Sequence, residues 1–415
     1  MRTLEGKPRL ASVGKQAIAL SIATAAAQVV VSLLYIFTAR EVGPVAYGGT
    51  VTTIALGLSA LGIVDFGANP YAVREMSSGR MTSLEYAARL KRKLLLGIMV
   101  AAVYAAICIP FAPALTGAAA IFLSGLVFQS ILVPLRAEKR GGQIAMLLLV
   151  ERIVAFATFA LLVFFDASLA WGLWLSLVVG TSAASTAAWF SIATWGRPRF
   201  WRVKGSNPWT GARYYGISAV ALSGQQLDLP ALAFVGGSSA AGLYGAVNRW
   251  TQPMGLFASA FSSASVPFVA SAKDLRSALR HVSKSAWLLL VAVLVSGLMA
   301  WAAPRIVTVL LGDAFESSAT VLRLLALGTI PAILNQPMAT ALQARGHDRA
   351  VALTFSVSVA AQLILVGSLG HAYGAVGAGL AFCALQTILS ASLVTVLLRA
   401  FRRESHVPAE GAGLL

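Results

Sequence analysis

Twelve apolar stretches run through the chain, at 15–39, 47–70, 93–110, 114–135, 143–165, 168–195, 212–236, 241–268, 286–311, 318–343, 350–370 and 373–398. At ~1.5 Å of rise per residue each can cross a hydrocarbon layer about 30 Å thick, the third being short and the eighth long. Inside that layer no water satisfies backbone N–H and C=O groups, so runs of this length have to be helices. The chain is therefore expected to be an all-α polytopic membrane protein. Composition decides one point: only 11% of the residues are charged, against about 25% in a soluble domain.

The formal charge of +17 has to be located before it is interpreted, because a basic stripe would point to nucleic acid. Of the 32 Lys and Arg residues, 27 fall in the arm before the first stretch, in the even-numbered connections and in the tail, counting Lys15, Lys93 and Arg213, in the first or second position of their stretches, with the segments that precede them. The other five are Arg40, Arg152, Arg249, Arg305 and Arg323, while the odd-numbered connections carry Glu41, Asp166, Asp313 and Glu316. This is positive-inside asymmetry; it places both termini in the cytoplasm and leaves no nucleic-acid partner to explain. The basic arm and the small residues after it imitate a signal peptide. The apolar run nevertheless continues through Val31 to Phe37, past the ~7 to 15 residues of a cleavable core, and is read as the first membrane helix.

Two turns resemble each other: Gly43-Pro44-Val45-Ala46-Tyr47-Gly48 near the N-terminus, and Gly236-Gly237-Ser238-Ser239 leading to Tyr244-Gly245. Matching Tyr47 to Tyr244 gives an offset of 197 residues (244 minus 47). A second pair, Arg140-Gly141-Gly142-Gln143 and Arg345-Gly346-His347-Asp348, is offset by 205 (345 minus 140). An even number of crossings separates the copies, so the halves share one orientation, as a parallel repeat does. The organisation expected is a cytoplasmic arm at 1–14, a six-helix bundle at 15–195, a cytoplasmic linker at 196–211, a second six-helix bundle at 212–398 and a cytoplasmic tail at 399–415. The basic segments 83–93 and 272–285 carry helical apolar spacing. They are either helices lying in the headgroup layer or extensions of the membrane helices that follow.

Ionisable side chains at membrane depth are costly and are functional candidates. Asp228 precedes the second turn and Arg249 follows it, which puts them at similar depth on adjacent helices, paired or facing a common cavity. Arg152 lies about nine residues into the fifth stretch, with Glu151 expected on a different helix face. Asp65 ends the second stretch shortly before Arg74-Glu75, to be paired with a nearby Arg or to act in gating. Arg suits an anionic substrate because its planar fork binds phosphate oxygens in pairs and stays charged. Among the amides, Gln225-Gln226 beside Pro230, Asn335-Gln336 between Pro331 and Pro337, and Asn248 are the cavity candidates; a broken helix there frees carbonyls. Hydrogen bonding between helices accounts equally well for any one amide. Cys108 and Cys383 lie in apolar sequence and read as packing residues. The sequence holds no metal-ligand spacing, phosphate-cradling loop or nucleophile–base pair, so no enzyme, metal or cofactor is expected.

The Gly-Pro-Val-Ala-Tyr-Gly turn, Asp65-Phe66-Gly67 with Arg74, Ala241-Gly242-Leu243-Tyr244-Gly245-Ala246 with Arg249, Leu311-Gly312-Asp313-Ala314-Phe315 and Tyr373-Gly374-Ala375-Val376-Gly377-Ala378-Gly379 occur in this order along the chain. Together they resemble the Wzx-type polysaccharide flippases of the multidrug/oligosaccharidyl-lipid/polysaccharide (MOP) exporter superfamily. The resemblance implies a MATE-like pair of six-helix bundles around a cavity open alternately to each side. It implies a function as well: moving a polyprenyl-diphosphate-linked oligosaccharide across the bacterial inner membrane for lipopolysaccharide or exopolysaccharide synthesis. Membrane lipids and a polysaccharide polymerase or export machinery would be its partners. On that reading Arg249, Arg152, Gln225, Gln226, Asn248, Asn335 and Gln336 serve the cavity, and Asp65, Asp228, Arg74 and Glu151 serve gating or coupling to a proton or sodium gradient. Twelve spans, not fourteen, set the chain apart from the peptidoglycan-precursor branch. Two alternatives stay open: a cation-coupled multidrug exporter of the same superfamily, and a non-transporting membrane partner of a glycan-synthesis complex. A drug-cation site wants unpaired carboxylates and aromatics, whereas a diphosphate site wants unpaired arginine.

Overall fold

The computed structural model describes residues 13–192, 197–200, 203–255, 258, 287–344 and 347–405. Every regular element among them is helical. In chain order they are α1 (Val13–Asp65), α2 (Ala68–Ser77), α3 (Ser83–Phe111), α4 (Gly117–Ala137), α5 (Gly141–Phe164), α6 (Leu169–Ser191), α7 (Arg213–Gly224), α8 (Asp228–Asn248), α9 (Trp287–Leu311), α10 (Ser318–Ala344) and α11 (Asp348–Ser405). Nine helical stretches among the described residues are long and apolar enough to cross a membrane. Three of them are broken by a glycine in a non-helical conformation: Gly43 (φ 75°, ψ 171°), Gly237 (φ 82°, ψ 169°) and Gly374 (φ 56°, ψ −133°). These three breaks fall at or next to the boundaries that the sequence draws between its first and second, seventh and eighth, and eleventh and twelfth stretches. Large apolar side chains such as Phe111, Phe164, Phe234 and Ile364 stand exposed, as they do on helices surrounded by lipid.

The breaks have local causes. A residue at positive φ with extended ψ is strained unless it is glycine, and Pro44 after Gly43 sits where its missing N–H costs nothing, at the start of the next helical segment. Gly43 and Gly237 have nearly the same φ and ψ and stand 194 residues apart (237 minus 43). This backbone match corrects the offset of 197 inferred from the Tyr-Gly pairs; Tyr47 stands opposite Ala241, not Tyr244. A second correspondence is the 3-10 turn Pro113–Leu115 before α4 and the turn Asp313–Phe315 before α10.

Two compact units result: Met1–Val42 with Gly49–Gln226, and Gly43–Gly48 with Leu227–Leu415. In the first, Phe128, Leu132, Leu135, Ile144, Leu147 and Ile192 form one apolar cluster, and Leu61, Ala101, Phe122 and Leu126 another. α3 opens with a capping box: Thr82 Oγ1 accepts from the Glu85 amide at 3.2 Å and Glu85 Oε2 accepts from the Thr82 amide at 2.8 Å. Because α3 then runs unbroken to Phe111, segment 83–93 extends the third membrane helix; 272–285 lies outside the described residues. The short helix beside it is α2, which begins after Phe66 (φ 42°) and Gly67 (φ 66°) turn the chain.

The connection before α7 is tied down within the first unit. Lys91 Nζ donates to the Val203 carbonyl, Ser206 N to that of Ala88, Arg89 to that of Thr210 and Trp209 Nε1 to that of Val64. α7 follows it, with Gly216 against the Phe66 ring and Gly67 against Tyr215. In the second unit the tip Gly43–Gly48 lies across α8. A Cβ on Gly48 would stand 2.9 Å from Gly242 N and 2.7 Å from the Ser238 carbonyl carbon; one on Gly242 would stand 3.1 Å from Gly48 N and 2.8 Å from the Pro44 carbonyl carbon. The residues in contact are related by the same 194-residue offset. Tyr47 is 1% exposed and meets Phe315 edge to face, centroids 6.2 Å apart.

Candidate functional site

Among the described residues three carboxylates lie buried between the membrane helices, Asp65, Glu151 and Asp228, and each has its own donors. Asp65 ends α1, Asn69 lies in the first turn of α2 and Lys93 in α3. The Lys93 ammonium donates to Asp65 Oδ1 at 2.8 Å and to Asn69 Oδ1 at 2.6 Å, and the Asn69 amide donates to Asp65 Oδ2 at 3.2 Å. The Lys93 side chain is 3% exposed. The Asp65 partner is thus a lysine on the next membrane helix, where the sequence pointed to an arginine at the helix end. Arg74 itself is exposed on α2, 3.3 Å from the Tyr215 hydroxyl and 3.8 Å from Glu75.

Glu151, on α5, is buried and accepts from Thr181 Oγ1 at 3.1 Å; Arg152 NH1 stands 3.5 Å from its Oε1. The adjacent pair was expected on different faces. Neighbours on a helix do diverge at Cβ, but the arginine stem is long enough to bring the guanidinium back. The Arg152 side chain remains 26% exposed. Gly180 of α6 lets the two helices close on this point, since a Cβ there would come within 2.9 Å of the Ala155 methyl.

Asp228, the first residue of α8, accepts from its neighbour's amide, Leu229 N, at 2.6 Å and from the Tyr244 hydroxyl at 2.8 Å. Tyr244 is fully buried. These donors hold the carboxylate, for which pairing with Arg249 was one of the two alternatives that the sequence left open. Arg249 itself is half-buried in the 3-10 turn Arg249–Thr251 that follows α8, and Asn248 is half-buried beside it. The helix break foreseen at Gln225-Gln226 is present as the 3-10 turn Gln225–Leu227 between α7 and α8, with Gln226 exposed.

The second amide pair divides. Asn335 is buried: its Nδ2 donates to Gln386 Oε1 at 3.0 Å, and its Oδ1 accepts from Ser390 at 2.6 Å, which ties α10 to α11 beside Pro331. Gln336 is exposed. Lys93, Asn69 and Thr181 were not singled out in the sequence, and Tyr244 stood out only as a marker of the repeat. Lys93 counted there as one of a basic run, although it opens the third apolar stretch, and that position was the available clue. Among the described residues no group of three or more His, Cys, Asp and Glu is placed to hold a metal ion. Outside the membrane segments Glu75 takes two hydrogen bonds from Arg80, at 2.7 and 2.9 Å, which hold its carboxyl below the usual range.

No protein-family model matches the sequence, and curated proteins give no significant match. Solved structures do. The lipid II flippase MurJ in an inward closed conformation matches at a TM-score of 0.74 and 12% identity, over 94% of this chain and 90% of that one. The chain has the fold of the MOP transporters. An inward-facing multidrug resistance MATE family transporter of that superfamily matches at a TM-score of 0.69 and 14% identity, over 92% of this chain and 96% of the other. A MOP superfamily transporter from Pyrococcus furiosus, described as having a binding pocket of reversed polarity, matches at 0.56 and 13% identity, over 94% and 96%. Such identities establish a shared architecture of apolar helices in a multi-pass membrane protein.

Proposed function

We propose that the chain is a flippase that moves a polyprenyl-diphosphate-linked oligosaccharide across the bacterial inner membrane by alternating access, with both termini cytoplasmic. The observation that carries this reading is the state of the deep carboxylates. Asp65, Glu151 and Asp228 each accept from at least one donor of the chain itself, so the anionic groups that would recognise a cationic drug are already engaged. A diphosphate needs cations, and Arg249 and Arg152, the latter 3.5 Å from Glu151, each keep part of their surface accessible at membrane depth. Likeness to a lipid II flippase supports the same class of cargo. The multidrug reading draws on the MATE neighbours alone.

Purified protein in proteoliposomes should translocate a polyprenyl-diphosphate-linked oligosaccharide and leave lipophilic cations untouched. Arg249→Lys should retain part of that rate as a point charge, while Arg249→Gln and Arg249→Ala lose most of it at normal membrane abundance. Transport of the cation with no movement of the glycolipid would reverse the assignment. The coupling gradient is proposed to be proton or sodium; equal rates with and without either gradient would remove it.

A further inference from the structure

The position of the Lys93 ammonium leads beyond the choice of cargo. Two oxygens from different helical elements converge on it, Asp65 Oδ1 at 2.8 Å and Asn69 Oδ1 at 2.6 Å. One is anionic and one is neutral. The second carboxylate oxygen is already used by the Asn69 amide at the start of α2, which fixes the carboxylate in place. Hard oxygen donors carrying a single negative charge, held rigidly and shielded from water, are what binds a monovalent cation. Here that charge is met by a side chain only 3% exposed, while the preceding Lys91 and Arg92 turn outward, Lys91 to the Val203 carbonyl and Arg92 to the surface. Alongside, Lys93 lines a small recess with Tyr86, Arg89 and Pro208.

We propose that Asp65 and Asn69 form a monovalent-cation site that the chain fills with its own Lys93 ammonium. The first unit then carries a tethered cation where an exchangeable one would otherwise bind, and ions from the medium do not act at Asp65. This stands on the first unit alone and does not depend on what the protein transports.

The test uses the purified full chain in detergent, with thermal unfolding followed against added n-propylammonium, and choline, which has no N–H donor, as the ionic-strength control. Lys93→Ala leaves Asp65 uncompensated and should melt well below the native chain. Propylammonium should raise its Tm by several degrees in a saturable manner that choline does not reproduce, because a ligand that binds only the folded state stabilises it. The native chain should respond alike to both salts. Asp65→Asn combined with Lys93→Ala should lose the amine response. An amine effect no larger than choline in Lys93→Ala, or one that persists in the double variant, overturns the proposal. Should Lys93→Ala give no folded protein, Asp65→Asn with Lys93→Met, which removes both charges together, is required to fold; its failure overturns the proposal too.

Discussion

The crossing of the Gly43–Gly48 tip over α8 makes a prediction that two adjacent glycines can decide. Gly48 and Gly49 are both helical, yet a Cβ at Gly48 meets the backbone of Ser238 and Gly242 inside 3 Å, whereas at Gly49 nothing lies within 4 Å. Ordinary contact begins near 3.4 Å, and the obstructing atoms are backbone, so Gly48→Ala has to push the tip away from α8. Overpacking of this kind costs about 1–3 kcal/mol, and more where a backbone must move. Gly49→Ala meets no obstacle and should stabilise the helix by about 0.5–1 kcal/mol. The two neighbours should therefore shift stability in opposite directions. Gly242→Ala obstructs the same crossing from the other side, against Pro44 and Gly48. Once one variant has opened the gap the second adds little, so the double should cost less than the sum of the singles. Thermal unfolding of the three singles and the Gly48/Gly242 double in one detergent measures all of this. Equal Tm values for Gly48→Ala and Gly49→Ala, or full additivity in the double, would refute the reasoning.

Tyr244→Phe removes one of two donors from a buried carboxylate and should cost about 1–3 kcal/mol; pairing it with Asp228→Asn should recover part of the loss, read as Tm. Glu75 titrates below the ordinary carboxylate value because of Arg80, so its contribution is complete above pH ~4.3 and is lost as pH falls through the lower folded value. Glu75→Gln should accordingly flatten only the acid limb of the stability–pH curve. Cysteines introduced at the exposed positions Ala114 and Ser168 should label from outside, and one at Gly142 only after permeabilisation; outside labelling of Gly142 would invert the topology.

Much of the fold was legible because burial in lipid leaves so few options. Length and hydropathy alone define the spans, and glycine at positive φ marks the breaks at Gly43, Gly237 and Gly374. The register of the repeat was not legible from side chains: Tyr47 and Tyr244 look equivalent but do different work, one against Phe315 and the other on Asp228. The candidate site was half visible. Depth singled out Asp65, Glu151 and Asp228, but which donor meets each depends on contacts 28, 30 and 16 residues along the chain, a separation that helical spacing does not encode. The Arg152 guanidinium was misplaced because periodicity follows Cβ directions, and a long side chain can cancel them. Asn335 looked like a lining residue because Pro331 and Pro337 were read as breaking the helix; α10 instead runs unbroken from Ser318 to Ala344 through both prolines, and the partners of Asn335, Gln386 and Ser390, lie on another helix.

The tip that crosses α8 also sets an order of events in synthesis. Tyr47 leaves the ribosome early, but its ring partner Phe315 is 268 residues further on (315 minus 47). At about 5–20 residues per second that is an interval of roughly 15 to 50 seconds. Through it the first hairpin is in the membrane while the surface that will bury its tip does not yet exist. A chain halted before α8 would hold every residue of the hairpin and still leave Tyr47 without its cover, so quality control that senses exposed aromatic groups at the end of a hairpin would have its longest opportunity here.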